Sequence, residues 1–468
     1  MPRDPLPPAE HGESFARRDF LKASAALAAT FPASLRAATL PTSLGAATLA
    51  APPQAATPLG QAPLVDGYRL NAILDVFRRY GGGDDGGTTR LAYSDEDIAA
   101  RAYAASVMEN AGLQVSVDIA GNLIGRRDGA DPAALPIVIG SHMDTVPEGG
   151  SYDGMVGCAA AFEVALTLHH HEVELGHPLE VVVFQNEEGG KTGSRALVGR
   201  VEPFEFDVVT ASGFMIRDGI NRLGGDAARL DEAQREPGSM AGFLELHIEQ
   251  GAVLEAAGTQ IGIVEGIVGI RRWYITVLGA QNHAGTTPMP QRRDALVATA
   301  DLIRAVSEVA TTTEGRQVAT VGRIEAVPGA PNVVPGEVRA TLEIRDLEMD
   351  KIGQILSEIV ARAREIESAR EVTIEFEQFY ESLAAPTAPA FRDMLERAAT
   401  DLGYSTLRMP SGAGHDAQSM AELGPVGMIF VPSRDGISHS PREYTAPEDI
   451  TRGANVLLHA VLALNAAG

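Results

Sequence analysis

The sequence predicts an α/β protein: a mixed, mainly parallel sheet with helices on both faces, carrying an inserted ferredoxin-like βαββαβ domain. Three observations lead there. From residue 66 onward, short apolar β-branched runs alternate with helical stretches, and strands of that kind are buried on both faces, as in parallel sheets. Residues 271–380 break the pattern with longer, amphipathic strands in the order β-α-β-β-α-β. The α/β pattern then resumes after the linker-like stretch 384–389 (AAPTAP), so the small domain lies inside the larger one.

The elements follow in chain order. Residues 94–110 form a helix with Ser94 as its N-cap and Asp97 three residues on. Residues 115–118 and 122–126 are short strands around the Gly121 turn. Residues 136–140 (PIVIG) are a buried strand, 156–170 an apolar helix, and 179–185 (LEVVVFQ) and 242–248 further buried strands. In the small domain, 271–279, 318–326, 337–347 and 371–379 are strands, and 293–309 and 350–368 are helices. Residues 391–403 are then helical, and 427–432 (GMIFVP) form a last buried strand. The expected division is 1–60, a tail; 61–268 with 385–468, the larger domain; and 269–384, the small domain.

Residues 1–60 are rich in Ala, Pro, Thr and Ser, with few aromatics. Arg17-Arg18-Asp19-Phe20-Leu21-Lys22 precedes a mild apolar run, the pattern of a twin-arginine signal. Export is therefore expected, to the periplasm, with small-residue cleavage points around Ala37–Ala38 or Ala50–Ala51. The Ala-rich run is too short, and too broken by Pro32 and Arg36, to span a membrane.

The 468 residues carry 38 Lys+Arg against 62 Asp+Glu, a net charge of −24. That balance argues against nucleic acid and anionic membranes as partners, because both are polyanions. One cysteine, Cys158, rules out an internal disulfide framework and a Cys-rich zinc module, and its apolar helix makes it an inert core thiol. His169-His170-His171 reads as a solvated helix C-terminus.

The chemistry collects where strands end. PIVIG runs into Ser141-His142-Met143-Asp144, with Asp153-Gly154 close behind. LEVVVFQ runs into Asn186-Glu187-Glu188-Gly189, the strand segment 243–246 into His247-Ile248-Glu249-Gln250, and GMIFVP is followed by Ser438-His439-Ser440. Ligand sites in open α/β sheets form beyond the carboxyl ends of the strands. Convergent His, Asp and Glu without thiolates is the donor set of a borderline metal ion.

Together with Asn282-His283-Ala284-Gly285-Thr286-Thr287-Pro288-Met289, Pro331-Asn332-Val333-Val334-Pro335-Gly336 and Gly412-Ala413-Gly414-His415-Asp416-Ala417, these motifs resemble the amidase/hydantoinase/carbamoylase family. Its members include N-carbamoyl-L-amino acid hydrolases, allantoate amidohydrolases and β-ureidopropionases, within the aminoacylase-like metallopeptidase superfamily. The resemblance runs over about residues 66–465 and implies a metallopeptidase-like catalytic domain with a lid and dimerisation domain. It implies two divalent ions per subunit, Zn first, with Mn, Co and Ni also suited. Asp153 would bridge them, His142 and His247 completing one ion and Glu188 and His439 the other. Glu187 would be the general base, and Asp144 would orient the His142 imidazole. His283 would polarise the substrate carbonyl, reaching across a homodimer. Asn332, Arg345 and Arg272 would hold the substrate's carboxylate or ureido group, and Gln250 and the loop containing Gly414 and His415 would line its pocket.

The implied activity is hydrolysis of a linear C–N bond in an N-carbamoyl-L-amino acid or related ureido acid, a small-molecule substrate. Within enzymes the alternative is a dipeptidase or N-acyl-amino acid hydrolase; outside them, an exported solute-binding protein without catalysis. One departure concerns the paired glutamates. Many members continue with Gly-Ser-Arg-Phe, whereas here Gly189-Gly190-Lys191-Thr192-Gly193-Ser194-Arg195 follows, as if three residues were inserted. That loop is expected to bear on substrate choice. The export signal is a second departure, and it weighs against the usually cytosolic breakdown of allantoate and pyrimidines.

Overall fold

The computed structural model describes residues 62–84 and 86–467. The segment read as an export signal lies outside the described residues. Among those residues, no helix is long and apolar enough to cross a membrane.

Nine strands form the larger sheet, in the order Gln114–Val117, Leu123–Arg127, Leu179–Phe184, Ile137–His142, Gly242–Ile248, Val426–Val431, Ile261–Ile267 and Ala385–Pro386, with Thr406–Ser411 also paired to Ile261–Ile267. The four in the middle, from Leu179–Phe184 to Val426–Val431, run parallel. The strands flanking this block are antiparallel to it. Side chains alternate between two cores. Ile137, Ile139, Val181, Val183, Leu244 and Leu246 enter one, and Val138, Val182, Phe184 and Phe243 the other. This two-sided burial explains why these strands read as continuous apolar runs, each large side chain contributing about 1.5–3 kcal/mol.

The helices Gly67–Phe77, Asp95–Asn110, Met155–His170, Pro389–Asp401 and Pro447–Ala467 cover the first face. Val253–Ala257 and Ala417–Met420 supply Leu254, Ala417 and Met420 to the second. Ser94 caps its helix as expected, accepting from Asp97 N at 3.2 Å. Met155–His170 is buried from Met155 to Leu168, which places a charge at its centre. Glu163 is fully buried and takes Arg69 Nη2 at 2.6 Å, Arg69 Nε at 2.7 Å, Asp66 N at 2.8 Å and Thr167 Oγ1 at 2.9 Å. These bonds fasten the first helix to the central one. Glu163→Ala removes the acceptor for four donors and should cost about 3 kcal/mol. A thermal midpoint equal to wild type would contradict that role.

The second sheet runs in the order Thr373–Ser382, Gly269–Leu278, Glu337–Asp346, Val318–Val327, all antiparallel. Helices Ala295–Thr312 and Met349–Arg370 pack on one face through Leu302, Val306, Ile352, Ile355 and Ile359. The element order is the predicted β-α-β-β-α-β.

Some elements depart from the sequence reading. The stretch read as a linker contributes Ala385–Pro386, which pairs with Ile267 and Gly266 and so ties the returning chain to the larger sheet. Strands Ile261–Ile267 and Thr406–Ser411 and helices Gly67–Phe77 and Pro447–Ala467 carry no assignment in the sequence reading. The sequence also suggests that His283 closes the first strand of the small domain, but that strand ends at Leu278. His283 lies beyond it, in a separate ribbon pairing Asn282–His283 with Val333–Val334.

Candidate functional site

The four central strands are parallel, so their carboxyl ends meet at one edge. His142 ends its strand, and His247 is the penultimate residue of Gly242–Ile248. Asn186, at φ +54, turns the chain after Leu179–Phe184 and presents Glu187 and Glu188. Asp153 comes from the turn before Met155–His170. There Gly154 has φ +62, and a Cβ would stand 2.3 Å from the His142 ring, so only glycine fits. His439, at φ +53, follows the short 3-10 turn after Val426–Val431.

These residues converge on one carboxylate. Asp153 Oδ1 is 3.1 Å from His247 Nε2 and 3.7 Å from His142 Nε2. Asp153 Oδ2 is 3.1 Å from His439 Nε2, which in turn lies 3.6 Å from Glu188 Oε1. Two groups that could each hold a metal ion thus share Asp153: His142–Asp153–His247 and Asp153–Glu188–His439. The donors are nitrogen and oxygen only. Glu188 Oε1 is buried without a hydrogen-bond partner. Burial and the neighbouring Asp153 push the Glu188 carboxyl up to about 8. Burial opposes protonation of His142, yet Glu187, Asp144, Asp153 and Glu188 around it raise it well above its usual value. Orphaned acceptor, crowded carboxylates and strained proton affinities all fit cations bound between these groups.

A third group, Glu245–His247–His415, is closed by hydrogen bonds. Glu245 accepts from Ser141 Oγ at 2.7 Å and Ala417 N at 3.1 Å, and His415 Nε2 pairs with Ser411 Oγ at 2.7 Å. His415 stacks edge-on against His247 at 4.5 Å and is 1% exposed. It therefore does not line a pocket, as the sequence reading expects. It packs behind the His247 ring.

Asp144 also needs correction. The His142 imidazole is held through Nδ1 by the Asp144 backbone oxygen at 3.0 Å. The Asp144 carboxylate, 3.8 Å from that nitrogen, instead accepts from Glu187 N and Glu188 N, both at 3.2 Å. The chain turns directly after the strand, which brings the carbonyl under the ring and frees the side chain to hold the neighbouring strand end. Burial pushes this carboxyl up to about 6. Gln250 sits at Asp153, its Nε2 donating to Oδ2 at 2.7 Å. Cys158 is inert as expected: it is buried, donates to His142 O at 3.2 Å, and burial pushes its thiol well up.

Two residues at this edge escape the sequence reading. Glu443 Oε1 accepts from Tyr152 N at 2.9 Å and Asp153 N at 3.0 Å, while Oε2 lies 2.9 Å from Ser438 Oγ. It fixes the backbone of the shared aspartate. Its only signal in the sequence is a carboxylate shortly after His439 in the same Pro-bounded loop. Arg90, 1% exposed, donates to Met143 O at 2.8 Å, Phe77 O at 2.9 Å and Tyr80 O at 3.0 Å, bracing the turn after His142.

The remaining predicted residues lie on the small domain and its contact loop. Arg272 Nε and Arg345 Nε grip the two oxygens of Glu343 at 2.6 and 2.7 Å, and Arg345 Nη1 donates to Gly412 O at 2.6 Å. Partial burial works against ionisation of Glu343, but these two arginines hold its carboxyl below the usual range. His283 and Asn332 are brought together, Ala284 N donating to Asn332 O at 2.9 Å. His283 Nδ1 accepts from Gly285 N at 3.0 Å and Thr286 N at 3.2 Å, which leaves the proton of the neutral ring on Nε2. Among the described residues, neither forms a hydrogen bond to His142, Asp153, Glu188, His247 or His439.

Comparison with known proteins adds to this geometry. Residues 138–463 match the family described as peptidase family M20/M25/M40. The chain is 41% identical over 403 residues to the N-carbamoyl-L-amino acid amidohydrolase of Geobacillus stearothermophilus, covering 85% of this chain and 98% of that protein. It is 34% identical over 399 residues to the allantoate amidohydrolase of Bacillus subtilis, covering 83% and 96%. The crystal structure of an amidase of the hydantoinase/carbamoylase family from Burkholderia multivorans superposes with a TM-score of 0.79 at 35% identity, covering 86% of this chain and 98% of that one.

Proposed function

Because this chain belongs to peptidase family M20/M25/M40, and within it to the hydantoinase/carbamoylase amidases, we propose that it is a metal-dependent amidohydrolase of N-carbamoyl-L-amino acids or related ureido acids. The observation that carries the reading is Asp153, shared by two His/carboxylate groups with Glu187 beside them. In this reading two divalent ions would be held by these residues, one by His142, His247 and Asp153 and the other by Glu188, His439 and Asp153. Zn comes first, with Mn, Co and Ni equally compatible with the donors. Such a pair supplies Lewis-acid polarisation and a water acidified to about pKa 7.

The chain's own residues do the rest. Glu187 accepts the water proton on a carboxylate oxygen and returns it to the departing nitrogen. Asp144 holds Glu187 and Glu188 by their amides. Nε2–H of His283 donates to the substrate carbonyl oxygen as charge develops there, worth ~3–4 kcal/mol; in a homodimer this would be His283 of the partner subunit. Arg345 and Arg272, pre-oriented by Glu343, receive the substrate carboxylate as a planar fork, with Asn332 on the ureido group. Gln250 and Gly414 complete the pocket. Residues 269–384 act as a lid and dimerisation domain on the catalytic part, 61–268 with 385–468. The Arg17-Arg18 signal directs the protein to the periplasm.

The test is release of the free amino acid from panels of N-carbamoyl-L-amino acids, N-acyl-amino acids and dipeptides, accompanied by ammonia only in the first. Release from the N-carbamoyl panel is expected, lost on chelation and restored by divalent ions. Preference for dipeptides or acyl compounds would replace the carbamoylase reading, and binding without turnover would replace catalysis altogether.

A further inference from the structure

Lys191 lies in the turn where the chain departs from the common pattern after the paired glutamates. Its backbone adopts φ +58, and its amide donates to Glu187 O at 2.8 Å, so the path of the turn is tied to Glu187. The side chain is partly buried and donates to a neutral group, Gln418 Oε1. Its Nζ sits 3.1 Å from where a Cβ on Gly414 would stand. Among the described residues, Lys191 forms no ion pair. Burial lowers its amine, with the more distant Glu187 and Asp416 pulling the other way.

Its surroundings place it at the junction of the two sheets. Gln418 Nε2 donates to Leu383 O at 2.5 Å and Ser382 Oγ at 3.1 Å, where the chain leaves the small sheet. At the other end of the same loop, Arg345 holds Gly412 O, and Arg272 joins it through Glu343. Three cations therefore flank residues 412–418. Two share the Glu343 carboxylate. The third has only an amide oxygen within hydrogen-bond reach, with Glu187 and Asp416 acting from farther off, and a partly desolvated ammonium without a direct ion pair gains when an anion reaches it.

We infer that Lys191 receives a carboxylate on the substrate's side chain, so that the preferred substrates are ureido acids of acidic amino acids, of the aspartate or glutamate type. The inference rests on the amidohydrolase reading, in which the arginines at the other end of the loop take the α-carboxylate. A lysine suits the second group, because its point charge meets a flexible side chain's carboxylate without a fixed two-pronged geometry.

The experiment measures kcat/KM of the metal-loaded protein for N-carbamoyl-L-aspartate and -glutamate against N-carbamoyl-L-alanine and -methionine. A preference of at least about tenfold for the acidic pair is expected; it should collapse by a similar factor in Lys191→Gln, mainly through KM, and survive largely in Lys191→Arg. An acidic-to-neutral ratio unchanged in Lys191→Gln overturns the inference and leaves the amidohydrolase reading standing. Calorimetric binding of glutarate and butyrate to the wild-type protein decides the matter if Lys191→Gln does not fold or no ureido acid is turned over. Glutarate binding about tenfold tighter supports the site, and equal binding sinks it.

Discussion

Replacing Glu187 with glutamine is expected to lower kcat by roughly a thousandfold, within the range for loss of a general base, while both metal positions stay filled. The side chain lies at the cluster, Oε2 3.9 Å from His142 Nε2, yet outside both groups built around Asp153. Its amide and that of its neighbour Glu188 are both fixed by Asp144, so an isosteric amide should sit in the same place. It cannot accept a proton. Metal content by elemental analysis and single-turnover kinetics on the same preparation separate the two effects. Near-normal turnover with metal retained would remove Glu187 from the mechanism. Loss of metal would make it a ligand.

Asp153→Asn should be still more damaging, because one substitution acts on both groups. Its two oxygens face different histidines, Oδ1 toward His247 and His142 and Oδ2 toward His439. An amide offers only one oxygen acceptor and no charge. Bound metal is expected to fall from about two ions per chain toward none, and activity to background. His439→Ala, which touches only the second group, should leave about one ion. An Asp153→Asn protein that keeps one tightly bound ion per chain would show that the carboxylate is not shared. The same preparation should retain its fold, since Glu443 holds Tyr152 and Asp153 by their backbone amides and not by the lost carboxylate.

Much of this site is legible in the chain because its residues are tied to strand ends. An apolar run such as VVVF (181–184) reads here as a two-sided buried strand, and the first polar residues after it stand at the sheet's edge. His142, Glu187, Glu188 and His247 follow from that logic alone, and Asp153 and His439 from their glycine- and proline-bounded turns. Glu443 was illegible for the opposite reason. It is an acidic residue in an irregular loop, and its partner Asp153 N is 290 residues away. Likewise, Thr406–Ser411 and Ile261–Ile267 pair in parallel across a long excursion through the small domain, and nothing local marks them as neighbours.

By itself, the sequence determined the alternation of elements, the β-α-β-β-α-β order of the second sheet and its helices, and the gathering of nitrogen and oxygen side chains at strand ends. Those features depend on periodicity and on what directly follows each strand. The tertiary structure alone decided which atoms face which. It turned the Asp144 carboxylate away from the imidazole and onto two amides, buried His415 behind His247, shared Glu343 between two arginines and left Lys191 without a direct ion pair. Each outcome is a contact between side chains from separate elements, so it is set by the order in which strands pack and not by any one segment's propensity.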